Sequence, residues 1–147
     1  MMYPGDSVSI DYVGYVREDL ADVALVQHAP WDTSDGGAGS TSFMVNCLDV
    51  FMRSADGTVV KWDLIFFNTG LHNLNNSTQG LAAYTSQLGQ IVAGMQKLQP
   101  QAKLVWATTT PFMPDKTAGN FAVEDQNAIA AKIMAVRMLT KRFVPTD

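Results

Sequence analysis

The sequence predicts a single α/β domain, in which an open and mostly parallel sheet carries helices on both faces. The first indication is that stretches with helical periodicity alternate along the chain with short strand-like runs. The second is an unbroken apolar run, Leu64-Ile65-Phe66-Phe67, typical of a strand covered on both faces. The third is composition: the 147 residues are 47% hydrophobic and 16% charged, which indicates a globular domain with a sizeable core.

The first half of the chain supplies a helix, a strand and a loop. Apolar residues recur at nearly 3.6-residue spacing over 8–20, which predicts the first helix. A short β-branched run predicts a strand over 21–27. The Gly-, Ser- and Asp-rich residues 32–40 predict a surface loop after that strand.

A second helix is predicted after this loop. Ser40, Thr41 or Ser42 can cap it, because a hydroxyl at that position accepts a hydrogen bond from a free amide of the first turn. Its predicted apolar face consists of Phe43, Met44, Cys47, Leu48, Phe51 and Met52.

The second half continues the alternation. The same criteria predict a strand over 59–68, a polar loop over 68–73, a helix over 78–98, a strand over 102–108, a helix over 121–138 and a last strand over 142–145. Ligands of such folds bind at the carboxyl ends of the strands. Three loops are expected to meet there and form a site: the turn at Ser7, residues 36–40 and residues 68–73.

Ser7 is the first candidate for chemistry. The Gly5-Asp6-Ser7 triplet comes just before the first predicted helix, and Gly5 can adopt backbone angles that other residues avoid. A serine at a helix N-terminus lies close to free amides that favour developing negative charge, which suits a nucleophile. The alternative is an ordinary helix cap, since Asp and Ser are common there.

Composition argues against several classes of function. The net charge is −4 with no basic stripe, which argues against a nucleic-acid partner, and no apolar run approaches the roughly 18 residues of a membrane span. Cys47 is the only cysteine and is expected to pack in the core, while His28 is expected to have a structural or rim role. His28 and His72 are too far apart in sequence to indicate a zinc site, so we expect no metal and no cofactor. The compartment is left open.

Several segments resemble the SGNH (GDSL-type) serine hydrolases, and the resemblance covers most of the chain. The similar segments are Gly5-Asp6-Ser7-Val8-Ser9-Ile10, Gly39-Ser40-Thr41-Ser42-Phe43, Phe67-Asn68-Thr69-Gly70-Leu71-His72-Asn73-Leu74, Trp106-Ala107-Thr108-Thr109-Thr110-Pro111 and Gln126-Asn127-Ala128-Ile129-Ala130. The resemblance implies a flavodoxin-like three-layer α/β/α sandwich. It also implies hydrolysis of a small-molecule carboxylic ester, such as an acyl or acetyl ester.

The resemblance also implies roles for individual residues. Ser7 would be the nucleophile, the amides of Ser7 and Gly39 would stabilise the oxyanion, and His72 would stand where the family has a third, Asn-derived donor. Asp6 is expected to fix the turn by hydrogen bonds. The expected substrate-contacting residues are Asp6, Asn68, Gly70, Asn73 and Trp31.

The sequence departs from the family pattern at both ends. No histidine follows His72, so the Asp-x-x-His block that supplies the family's catalytic base is missing, and only four residues precede Gly5. We therefore expect a domain shortened at both ends, with impaired or atypical catalysis. Three alternatives follow for Ser7: weak catalysis without a base, His72 as a substitute base, or missing parts lent by a second copy through exposed strand edges. A competing expectation is a non-catalytic domain that binds acyl or small anionic ligands.

Overall fold

A computed structural model of the chain describes residues 1–29, 38–54, 56–74, 80–109 and 123–141, with side chains described as far as residue 136. The elements are β1 (Met2–Pro4), α1 (Ser7–Asp19), β2 (Gln27–Ala29), α2 (Thr41–Phe51), β3 (Leu64–Phe67), α3 (Leu71–Leu74), α4 (Leu81–Leu98), β4 (Lys103–Trp106) and α5 (Val123–Lys141). The predicted last strand, 142–145, lies outside the described residues.

The four strands form one sheet in the order β2-β1-β3-β4, and each pair of neighbours is parallel. The predicted α/β fold with a parallel sheet is confirmed. Although β1 has only three residues, it occupies an inner position and pairs with both β2 and β3.

Alternation along the strands divides the side chains between two helix layers. Met2, Ile65 and Phe67 are fully buried in the main core, which they share with residues of α2, α4 and α5. Tyr3 and Phe66 pack against each other on the opposite face, with ring centroids 4.7 Å apart, and Tyr3 also contacts Tyr12 of α1. The chain is therefore a three-layer α/β/α sandwich.

The predicted strand over 21–27 is wrong by several residues. Residues 20–23 form turns after α1, and the strand begins only at Gln27. Its position is set by pairing with β1, where Tyr3 faces His28. Because Val23 and Leu25 are 76% and 78% exposed, the β-branched run that suggested a strand is mostly outside the core.

Three further predictions need correction. The strand predicted over 59–68 is only Leu64–Phe67, and one of its faces is half-buried instead of fully covered. The polar loop predicted over 68–73 contains the helical turn α3. Ser40, one of the three predicted caps of α2, is the residue that caps it: its side chain accepts a hydrogen bond from the Phe43 amide at 3.4 Å. The predicted apolar face of α2 needs one correction, because the Phe43 side chain is 47% exposed and does not belong to the buried face.

Among the described residues, no helix combines the length and apolar character needed to cross a membrane.

Candidate active site

A small cleft opens at the carboxyl ends of β1, β3 and β4. The strands β1 and β3 are neighbours in the sheet. The strand that follows β1 in sequence, β2, lies on one side of this pair, and the strand that follows β3, β4, lies on the other side. Such a switch point is where open α/β sheets bind ligands. The cleft has a volume of about 50 Å³ and is lined by Asp6, Val8, Ser9, Tyr12, Asn68, Leu71, Ala107, Thr108 and Thr109.

Ser7 is the first residue of α1; its chain neighbours Asp6 and Val8 line this cleft, whereas Ser7 is not among the lining residues. Asp6 is the N-cap, and its Oδ1 accepts a hydrogen bond from the Val8 amide at 3.1 Å. The cap is therefore Asp6, which fixes the turn as expected, and the hydroxyl of Ser7 is not used for capping. Asp6 is 5% exposed whereas Ser7 is exposed, so the serine is accessible on a turn that its neighbour holds in place.

Gly5 is required in this turn for a reason that the sequence did not indicate. Among the described residues, positive φ angles occur at Gly39 and Gly57 and not at Gly5. A Cβ atom on Gly5 would overlap Ser9 Oγ and come within 2.7 Å of Ser9 Cβ. The absence of a side chain therefore makes room for Ser9 beneath the turn.

Hydrogen bonds join the three loops that were expected to meet. The Ala38 amide donates to the Gly5 carbonyl oxygen at 2.6 Å, and Thr69 Oγ1 donates to the Gly39 carbonyl oxygen at 3.2 Å. Gly39 has a φ of +57°, in the left-handed region where glycine is favoured. The structure thus places the Gly39 segment next to the turn that carries Ser7.

Asn68 and Gly70 follow β3, and both form hydrogen bonds with residues of later segments of the chain. Asn68 Nδ2 donates to the Ala107 carbonyl oxygen at 2.7 Å and to Thr109 Oγ1 at 3.2 Å, and Asn68 lines the cleft. Gly70 is buried, and its carbonyl oxygen accepts from Gln126 Nε2 at 2.8 Å. A Cβ on Gly70 would lie 2.9 Å from Thr109 Oγ1, so Gly70 allows close packing, and its expected contact with substrate stays a prediction.

Asn73 has a structural role in the described residues. It is fully buried, and its side chain holds the first residue of α2: the Thr41 amide donates to Asn73 Oδ1 at 3.0 Å, and Asn73 Nδ2 donates to Thr41 Oγ1 at 2.9 Å. Both of its side-chain polar atoms are used in this way, and the expected contact of Asn73 with substrate stays a prediction.

The two histidines differ in accessibility. His72 is exposed on α3. His28 is fully buried in β2, with Nε2 2.7 Å from Ser9 Oγ and its ring stacked on Tyr3 at a centroid distance of 6.0 Å. Trp31, the remaining expected contact residue, lies outside the described residues.

Two tyrosines form part of the layer under α1. The hydroxyls of Tyr3 and Tyr12 are hydrogen-bonded, and Tyr12 lines the cleft. Burial raises the pKa of Tyr3 well above its usual range, and the bond to Tyr12 raises it further. Burial also raises the pKa of Tyr12. The cleft therefore contains a neutral phenol at ordinary pH.

Sequence reasoning missed three residues of this region: Ser9, Gln126 and Tyr12. Ser9 lies within the motif segment that begins with Gly5-Asp6-Ser7, and a hydroxyl two residues after a candidate nucleophile was a signal that could have found it. Gln126 is fully buried in the first turns of α5, and its Oε1 has no hydrogen-bond partner among the described residues. Nothing in the sequence indicated that Gln126 contacts Gly70.

A solved structure shares this fold. The crystal structure of an acetyl xylan esterase, AlAXEase, matches with a TM-score of 0.69 at 13% sequence identity, over 93% of this chain and 73% of the esterase. No family model matches the sequence, and no curated protein matches it. At this level of identity the likeness concerns the fold, which is that of a known esterase.

Proposed function

We propose that this chain is a serine esterase of the SGNH (GDSL) type that hydrolyses small carboxylic esters with Ser7 as the nucleophile. The observation that carries the proposal is the exposed position of Ser7 at the start of α1, between Asp6 and Val8, two residues that line the cleft. Asp6 provides the cap, so the Ser7 hydroxyl is available for chemistry. The fold shared with an acetyl xylan esterase supports the same proposal.

In this proposal the Ser7 oxygen attacks the ester carbonyl while its proton passes to the base, and the tetrahedral intermediate expels the alcohol, which takes up that proton. Water then hydrolyses the acyl-serine, which releases the carboxylic acid and restores the Ser7 hydroxyl. The amides of Ser7 and Gly39 stabilise the oxyanion, and each well-placed donor is worth about 3 kcal/mol. The positive end of α1 adds to this stabilisation. The hydrogen bond from the Ala38 amide to the Gly5 carbonyl oxygen supports a joint role of the Ser7 and Gly39 amides, because it holds the Gly39 segment against the Ser7 turn.

The base is the open part of the proposal. His28 is buried and bonded to Ser9, which leaves His72 as the exposed histidine of the chain. We propose His72 as the substitute base or as an oxyanion donor, with water or a second copy of the chain as the alternatives. A serine without a base loses about 10⁴ to 10⁶ in rate, although binding and oxyanion stabilisation still give roughly 10³-fold over water.

The second candidate function is a non-catalytic domain that binds acyl or small anionic ligands. One observation favours it: His28 Nε2 is hydrogen-bonded to Ser9 and not to Ser7, and no described hydrogen bond joins His72 to Ser7. A serine nucleophile is ordinarily activated by an adjacent base.

Hydrolysis of p-nitrophenyl acetate by the unmodified chain, Ser7→Ala and His72→Ala separates these candidates. Ser86→Ala is the matched control, since Ser86 is an exposed helical serine on α4. The proposal expects loss of activity in Ser7→Ala and unchanged activity in Ser86→Ala. If the unmodified chain is no faster than Ser7→Ala, the esterase proposal is wrong and the binding function remains. Loss in His72→Ala as well, with a changed pH profile, would identify His72 as the base.

A further inference from the structure

We propose that His28 and Ser9 form a hydrogen-bond relay that strengthens the Ser7 amide as an oxyanion donor. The inference rests on the proposed esterase function, but the relay itself can be tested separately. It gives a role to a buried polar pair that the proposed chemistry does not otherwise use.

The distances determine the direction of each hydrogen bond. Ser9 Oγ lies 2.6 Å from the Asp6 carbonyl oxygen, which can only accept, so the Ser9 hydroxyl proton points to that oxygen. His28 Nε2 lies 2.7 Å from the same Oγ, and because the one hydroxyl proton is directed to Asp6, the proposal assigns the proton of this second hydrogen bond to Nε2. The order of donation is His28 to Ser9, and Ser9 to Asp6.

The relay ends on the peptide group whose N–H belongs to Ser7. The carbonyl of Asp6 and the amide of Ser7 are the two ends of one planar peptide unit. A hydrogen bond to the carbonyl oxygen polarises this unit and makes its N–H a stronger donor. Successive hydrogen bonds in a chain strengthen each other by roughly 10–30%.

Burial makes this coupling effective. Ser9 is 2% exposed and His28 is fully buried, so the hydrogen bonds act where water does not compete with them. Tyr3 stacks on the His28 ring and fixes its orientation. Gly5 leaves the space that Ser9 occupies, which explains why a larger residue before Asp6 would displace the relay.

An ordinary helical serine would explain only part of this arrangement. A Ser side chain in the first turn often bonds to the carbonyl three residues earlier, as Ser9 does to Asp6. Such a bond needs no second partner. The additional donor, His28 from a neighbouring strand 19 residues away, is what makes Ser9 an intermediate in a chain of hydrogen bonds.

Ser9 and His28 are thus positioning residues that act through the Ser7 peptide. The oxyanion forms only in the transition state, so weakening its donor lowers kcat and leaves KM nearly unchanged. Removal of a whole oxyanion donor costs about 10²–10³ in kcat, and we expect a weakened donor to cost roughly 3- to 10-fold.

The test uses Ser9→Ala and His28→Leu, with His28→Gln as the conservative variant because its amide keeps an N–H donor within reach of Ser9. Two readouts are taken: kcat and KM for p-nitrophenyl acetate, and the chemical shift of the Ser7 amide proton in an ¹⁵N-labelled chain. The relay predicts a lower kcat at constant KM and an upfield shift of the Ser7 amide proton in Ser9→Ala and His28→Leu. His28→Gln is expected to restore both toward the unmodified values.

The two readouts distinguish the two proposals. An unchanged Ser7 amide shift in His28→Leu would overturn the relay, whatever the activity and whatever the shift in Ser9→Ala. If hydrolysis depends on Ser7, and a variant shifts the Ser7 amide resonance but leaves kcat unchanged, the relay makes no contribution to catalysis. If the chain shows no Ser7-dependent hydrolysis at all, the esterase proposal fails, and the amide shift still decides whether the relay exists.

Discussion

Thr41 and Asn73 exchange two hydrogen bonds, one in each direction, at 3.0 Å and 2.9 Å. This pair ties the turn after β3 to the first residue of α2, and it lies where water does not reach, since both residues are fully buried. Thr41 Oγ1 also donates to Gln87 Oε1 of α4 at 2.5 Å. The pair therefore links three elements that surround the candidate site.

Asn73→Ala is expected to lower the free energy of unfolding by about 2–3 kcal/mol, because it leaves the buried Thr41 amide without its acceptor. Urea unfolding measures the change. Asn46→Ala is the matched control, since Asn46 is exposed on α2 and its loss should stay within about 0.5 kcal/mol. An equal effect in both variants would contradict the structural role of Asn73.

Three tyrosines, two of them in the layer of α1 and one in α4, predict a loss of stability at high pH. Burial raises the pKa of Tyr3, Tyr12 and Tyr84 in the folded chain above the ordinary value of 10.0. The folded state therefore retains protons that the unfolded chain releases. Its stability is complete below pH about 10 and falls as the pH rises further.

Urea unfolding at pH 8, 10 and 11 checks this prediction. Tyr12→Phe removes one of the groups and should make the loss between pH 8 and 11 smaller. Tyr15→Phe should leave the loss as it is in the unmodified chain, because the Tyr15 side chain is 70% exposed. A stability that stays constant from pH 8 to 11 would show that these phenols are not protected by the fold.

Two glycines of α4 are expected to respond oppositely to the same substitution. Gly89 has no atom within 4 Å of the position of a Cβ, so Gly89→Ala should stabilise by about 0.5–1 kcal/mol. A Cβ on Gly94 would overlap the Leu48 side chain of α2, and repacking a crowded core typically costs about 1–3 kcal/mol. Urea unfolding of both variants is the measurement. Equal gains would mean that α2 and α4 are less closely packed than described.

Gly39→Ala is expected to destabilise by about 1–2 kcal/mol, since an L-residue at φ +57° is strained. Its Cβ would also lie 3.3 Å from Phe43 Cδ1. Gly57→Ala is the control, because Gly57 has a φ of +82° with no atom close to its Cβ position and so reports the backbone cost alone. Thermal unfolding in which Gly39→Ala melts at the temperature of the unmodified chain would contradict the described loop.

Local patterns were sufficient for the parts of the fold that depend on neighbouring residues. The predicted apolar face of α4 consisted of Leu81, Leu88, Ile91, Val92, Met95 and Leu98. The four inner residues of this set are buried, whereas Leu81 is only partly buried and Leu98 is 39% exposed. The strand at 21–27 was misplaced because its position depends on pairing with Met2–Pro4, which lies far away in sequence. A strand of three residues carries too little pattern to indicate its own register.

The same limit explains which site residues were found. The exposed Ser7 was predicted from a short motif that a sequence displays directly, whereas the unusual backbone angles expected at Gly5 occur at Gly39 and Gly57 among the described residues. The bond between Ser9 and His28 joins residues 19 apart, and the bond between Gly70 and Gln126 joins residues 56 apart. A single sequence gives no means of pairing such residues, and the folded structure was needed to bring them together.

The most direct test of the central claim is covalent labelling by a fluorophosphonate, which phosphonylates an activated serine with loss of fluoride. The chain is incubated with the probe, digested, and the labelled peptide is located by mass spectrometry. The account predicts one adduct on Ser7, absent from Ser7→Ala and retained in Ser86→Ala. An unlabelled chain, or an adduct that persists in Ser7→Ala, would contradict the assignment of Ser7 as the nucleophile.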